Sequence, residues 1–186
     1  LRRAGRQCDS PAPARAAGLS MALLISTGIF FAWAMLVALG DIRFRRVPNA
    51  LVLAGLIAGV ASAFAHANPF GIFPRQALFG MLIGMASLFP FFALRVMGAA
   101  DVKIFAVLGA WCGMHALFWF WVVASVAAGA HALALMALSN TSFGALWRRG
   151  APAMALGGRR ATPYAACLVA PAAVWLAHLV VSGGVQ

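Results

Sequence analysis

The chain has 186 residues, enough for one domain, of which 64% are hydrophobic and only 9% charged. Soluble domains carry roughly a quarter charged residues, so an ordinary water-soluble fold is excluded. The net charge of +11 lies in short basic clusters between long apolar blocks, which fits membrane topology rather than nucleic-acid binding.

In chain order, residues 1–20 form a polar, basic tail, followed by Met21 at the start of the first apolar block. The expectation is that Met21 is the native start and that 21–186 form a single transmembrane domain; N-terminal sequencing of the native protein tests it. Residues 20–39 carry no charge and suffice for one helical crossing, which takes roughly 20 residues. A cleaved signal peptide competes with this reading, but the run is too long and is followed by a basic segment rather than a small-residue cleavage site. The second span is expected at about 50–65, with Pro48 and Asn49 at its start. Residues 66–76, with two prolines and a glycine, read as a loop, and the third span as about 77–94. Residues 104–138 are uncharged. A straight helix of that length would measure roughly 50 Å against a hydrocarbon core of about 30 Å. Two passes with a turn near Gly113–His115 are therefore predicted. A polar, basic stretch at 140–160 precedes the last span, at about 163–182. The predicted fold class is an all-α membrane protein of about six transmembrane helices.

If the spans alternate, Arg43, Arg45, Arg46, Arg95, Lys103, Arg148, Arg149, Arg159 and Arg160 fall on one side, and only Arg75 and the tail on the other. The positive-inside rule puts the nine in the cytoplasm. GLIAG (55–59) and GMLIG (80–84) are small-xxx-small patterns that permit close helix contact, although glycine is abundant enough here for chance to supply them.

There is no Glu, and the only acids are Asp9, in the tail, Asp41 and Asp101. The alternating spans bring Asp41 and Asp101, 60 residues apart, to the same membrane face. A carboxylate near hydrocarbon is costly and marks function by default. The structural alternative pairs Asp41 with Arg43 or Arg45 and makes Asp101 a helix cap. Two carboxylates on one face suit amide hydrolysis. At close range they share a proton, so one can deprotonate water while the other polarises the carbonyl and assists the leaving amine. That chemistry needs no cofactor or metal. Cys8, Cys112 and Cys167 form no pair or metal-ligating pattern, and Cys112 and Cys167 read as small packing residues.

The sequence GDIRFRRVPN (40–49) resembles the D-x-R-x-x-x-[IV]-P-N signature of type IV prepilin peptidases, and MGAADVK (97–103) their GxGD-x-K motif. RRATPYAACLVAPA (159–172) resembles the segment preceding their last helix. The size and motif form are most similar to the peptidases of tight-adherence (Flp-type) pilus systems. The resemblance implies a GxGD-type aspartyl protease bundle in the bacterial inner membrane, with Asp41 and Asp101 as the catalytic pair. It implies removal of a short basic leader from a prepilin-like protein at the cytoplasmic face, usually after a glycine. The apolar helix of that partner would pack beside the enzyme. The family's second motif glycine is Ala100 here. The paired cysteines that larger relatives carry for N-methylation have no counterpart, so a peptidase without methyltransferase activity is expected.

Of the neighbouring residues, Gly98 permits close approach to Asp101 or is a plain loop glycine. Lys103 balances the aspartates or binds lipid headgroups, the latter being the simpler reading. Arg43, Arg45 and Arg46 set topology. Pro48 and Asn49 shape the start of the second span and so hold Asp41 in place. Tyr164 reads as an interface anchor rather than a site residue, and His131 as a packed histidine rather than a proton relay. A proton- or ion-coupled transporter and a catalytically idle membrane subunit stand as alternative functions; a transporter, however, usually keeps its ionisable groups near the bilayer midplane.

Overall fold

The structure is a computed structural model that describes residues 13–44, 46–95, 97–139 and 164–182. Expectations about residues 1–12, Arg45 and the basic segment 140–163 lie outside the described residues. The described residues form five helices: α1 (Pro13–Phe44), α2 (Asn49–Phe64), α3 (Pro74–Ala93), α4 (Ala99–Ser139) and α5 (Tyr164–Val181). Four of them, α1 from Met21 onward, α3, α4 and α5, are long and apolar enough to cross a membrane; α2 is apolar but has 16 residues.

The helix bounds differ from the sequence reading in ways that matter for the acids. α1 runs to Phe44, beyond the expected end at 39, so Asp41, expected at the end of this span, sits in its final helical turn. α3 starts at Pro74, inside the expected loop 66–76. Proline is suited to a first helical position because its missing N–H would be unsatisfied there anyway, and Gln76 Oε1 accepts the Phe73 N–H at 3.0 Å. α4 begins at Ala99, which puts Asp101 in its first turn.

α4 breaks at Gly113, whose φ of 70° and ψ of 173° are not helical. A positive φ at this point is tolerated by glycine, which has no Cβ. The break falls where the sequence placed a turn, and it folds the helix back. Phe105, before the break, and Leu117 and Trp121, after it, line one cavity together with Leu88 and Phe91 of α3. Along a straight helix Phe105 and Trp121 would stand about 24 Å apart.

Helices in lipid gain little from burying apolar surface and associate through close packing and hydrogen bonds instead. Both small-residue patterns serve that packing. A Cβ on Gly80 would run into the Gly109 carbonyl, and one on Gly84 would come within 2.8 Å of the Phe105 carbonyl oxygen. On α2, Gly55 lies against the Trp33 ring, and a Cβ on Gly59 would come within 2.9 Å of Trp111. The same tryptophans donate hydrogen bonds to α2, Trp33 Nε1 to the Leu51 carbonyl at 3.0 Å and Trp111 Nε1 to the Gly55 carbonyl at 2.9 Å. Glycine on one helix thus admits an indole from another, and the indole N–H finds a backbone acceptor. Trp111 and Phe30 are fully buried, with their rings edge-to-face at 5.2 Å. The perimeter instead exposes Leu24, Ile25, Ile57, Phe79 and Trp119, a surface suited to lipid.

These contacts define two ends of the bundle. At one end, Ser26 Oγ bonds the Ala67 carbonyl, and buried Asn68 accepts the Phe70 N–H at 2.8 Å and donates to Ser62 Oγ at 3.3 Å. Arg75 and Gly113 belong to this end. The antiparallel packing of α3 on α4, Gly80 against Gly109 and Gly84 against Phe105, carries Arg95 to the other end, with Asp101.

Candidate active site

Asp41 and Asp101 both lie at this second end. Both are half-buried, and the negative charges of the two carboxylates act on one another. Asp41 is delivered by the last turn of α1 and Asp101 by the first turn of α4. The pairing follows from chain direction: α1 and α3 both end here, and α4 starts where α3 ends.

Each carboxylate also accepts a backbone N–H. Asp41 Oδ2 takes that of Ala166, at 3.0 Å, in the first turn of α5. The first amides of a helix have no partner inside it, so α5 supplies a free donor at this place. Asp101 accepts the N–H of Gly98, the residue preceding α4, while the Asp101 N–H donates to the Gly98 carbonyl at 3.2 Å. The Asp101 carboxylate thus acts as the N3 half of a capping box, whereas Gly98, having no side chain, offers the Asp101 N–H only its backbone carbonyl. A Cβ on Gly98 would lie 3.2 Å from Asp101 Oδ2, so glycine leaves that oxygen room.

The other candidates fall around this pair. Ala100 lies in ordinary right-handed helix, where alanine is favoured over glycine, so the departure from the family's motif distorts nothing. Pro48, with φ −61° and ψ 139°, caps α2, its carbonyl accepting the N–H groups of Leu51 at 3.0 Å and Val52 at 3.3 Å. Asn49 Oδ1 accepts a hydrogen bond from Lys103 Nζ at 2.9 Å, although both side chains are exposed. That bond links the two motifs across 54 residues, a partner for Lys103 that neither expected role included. Arg43 is exposed, with its guanidinium over the Phe44 ring at 5.8 Å.

Two expectations are corrected. Tyr164 is no plain interface anchor: it is half-buried, and its hydroxyl lies 3.2 Å from Ser125 Oγ. His131 is exposed on the bundle surface rather than packed. Cys112 is buried and Cys167, partly buried, packs against the core, both as expected of packing residues.

Sequence reasoning missed Ser125 and Ala166. A signal existed for Ser125: it lies 12 residues after Gly113, as Asp101 lies 12 before it, so a fold-back at that glycine makes them neighbours. Pro163 just before α5 marks a helix start and hence free amides at 164–166.

The profile of the Type IV leader peptidase family matches residues 28–133, more than half of the chain and a stretch that contains both aspartates. The chain belongs to this family. As a type IV leader peptidase family member it is a protease of leader-peptidase type, and its apolar helices make it a multi-pass membrane protein. The match ends before α5, so the Ala166 and Tyr164 contacts come from a helix beyond the matched stretch. No curated protein and no solved structure matches the chain.

Proposed function

We propose that the protein is an aspartyl endopeptidase that removes the short basic leader of prepilin-like proteins, with Asp41 and Asp101 as its catalytic pair. The observation that carries this reading is the convergence of two half-buried carboxylates, from helices distant in sequence, at one end of a leader-peptidase bundle. Two carboxylates whose charges interact hold one proton between them. The ionised member takes a proton from water, and the protonated one polarises the scissile carbonyl and then protonates the departing amine. The reading includes six passes, counting the two arms of α4 separately. By the positive-inside rule, Arg43, Arg46, Arg95 and Lys103 turn the catalytic end to the cytoplasm, across a bacterial inner membrane. The substrate's apolar helix lies in the lipid beside the enzyme. The small size and the motif form further favour an Flp-type pilus system and cleavage without N-methylation.

The backbone bonds to both aspartates favour a second reading, a catalytically idle subunit that anchors a pilus or secretion assembly. Substitution by asparagine separates the two, because Asn keeps an acceptor oxygen for each N–H and loses the acid–base chemistry. On co-expression with a prepilin-like protein carrying a basic leader, a glycine and an apolar helix, Asp41→Asn and Asp101→Asn should each abolish the size shift at unchanged protein level. Normal cleavage by either variant would refute the proposed pair.

A further inference from the structure

Asp41 stands at the end of its own helix that least suits a negative charge. It lies in the last turn of α1, and a last turn presents unpaired carbonyls and the negative end of the helix dipole, where a cation is favoured. The compensating group comes from another helix. Ala166 lies in the first turn of α5, and its N–H donates to Asp41 Oδ2 at 3.0 Å across 125 residues of sequence. An amide in a first turn has no acceptor within its own helix, so this proton is free for the carboxylate. The donor is also held in place. Its neighbours Ala165 and Leu168 are buried in the core, and the Tyr164 hydroxyl, 3.2 Å from Ser125 Oγ, ties the start of α5 to the second arm of α4. Asp101 takes its amide from Gly98, in its own turn, whereas Asp41 depends on this contact between helices.

We infer that Ala166 is a positioning residue for Asp41, its backbone amide setting the orientation of the carboxylate. The last helix is thereby a wall of the site. A hydrogen bond from an N–H to a charged carboxylate is among the stronger ones, and a half-buried place strengthens it further. The role belongs to the peptide N–H, so a side chain that suits the helix serves equally, and proline does not. Small misplacements of a reacting group are costly in rate, which gives the contact its consequence. That consequence rests on the aspartyl-peptidase reading; the contact itself does not.

Two changes remove the N–H and little else. Ala166→Pro does so in a first helical turn, where proline is tolerated, and an ester in place of the Ala165–Ala166 peptide does so without a ring. Should the proline variant fail to fold, the ester decides. The contact is read without activity, because the chain has three aspartates. Aspartate labelled with ¹³C at the side-chain carboxyl gives three signals in the full-length protein in detergent, and the one lost in Asp41→Asn belongs to Asp41. The proline and the ester should each move that signal, and Val174→Ala, on the exposed face of α5, should leave it in place. A signal unmoved by the ester overturns the inference whatever the activity. With a prepilin-like substrate of basic leader, glycine and apolar helix, loss of the N–H should lower kcat about tenfold at unchanged KM, the effect of losing one hydrogen bond to a reacting charge. Ala166→Gly, which keeps the N–H, is the rescue variant and should retain most of the rate. A bond that only capped α5 would cost stability and spare kcat, so an ester form with wild-type kcat also overturns the inference. Wild-type cleavage by Asp41→Asn and Asp101→Asn would instead sink the peptidase reading and leave the spectroscopic test standing.

Discussion

Ala100 stands where the family motif has its second glycine, and it is helical, between Ala99 and Asp101. Restoring the glycine should therefore bring no gain. Ala100→Gly is expected to leave cleavage unchanged and to lower stability by about 0.5–1 kcal/mol, the ordinary cost of glycine in a helix; thermal unfolding in detergent measures it. The Lys103–Asn49 bond gives a second prediction at this scale. It is exposed, so its net worth is about 0.5–1.5 kcal/mol. Because one bond is shared, Lys103→Met, Asn49→Ala and the double variant should lose nearly the same stability, where independent sites would add. Asp41 and Asp101 were legible at this scale because they are the chain's two acids outside the N-terminal tail. Ala166 was not, because it acts through a backbone amide, and any residue but proline supplies one.

Between elements, the closest approach is that of α3 and α4 at Gly80 and Gly109, where backbone meets backbone. A side chain there has nowhere to go, since neither carbonyl is the end of a flexible chain. Gly80→Val should force the helices apart and cost at least 2 kcal/mol, about the scale of severe overpacking. Gly28→Ala, with nothing within 4 Å of the new methyl, should be nearly silent. Comparing the two variants by unfolding in detergent checks the contrast. The sequence showed GMLIG as a packing pattern but not its partner: GAWCG (109–113) has the same small-xxx-small spacing as GLIAG, and the register of α3 against α4 decides which glycine it meets. The helix limits misread for the same reason. Charge and proline counts place a lipid boundary, whereas α1 continues past its uncharged stretch as a helix to Phe44, and α3 uses Pro74 as a beginning rather than a stop.

At the scale of the molecule, the segregation of basic residues predicts orientation. Arg46→Cys should react with a membrane-impermeant maleimide from the cytoplasmic side and Arg75→Cys from the opposite side, each compared with the parent protein; the reverse pattern would contradict the proposed topology. The placement of Asp41 and Asp101 at one end was legible from span parity, since two crossings, α2 and α3, lie between them, and an even number returns the chain to the same face. The contribution of α5 was legible only in part: the turn at Gly113–His115 was expected and Pro163 marks the helix start, but no apolar pattern specifies the angle that brings Ser125 within 3.2 Å of Tyr164.

Both acids ride on helix termini instead of mid-span turns. A hydrolase built this way draws its nucleophile straight from the aqueous boundary, without a solvent-filled shaft through hydrocarbon. Its target amide would be met just ahead of the lipid-immersed stretch, where the polypeptide can be extended. No buried turn then has to be unravelled, and no peptide group is stripped of its partner in an environment that offers no replacement.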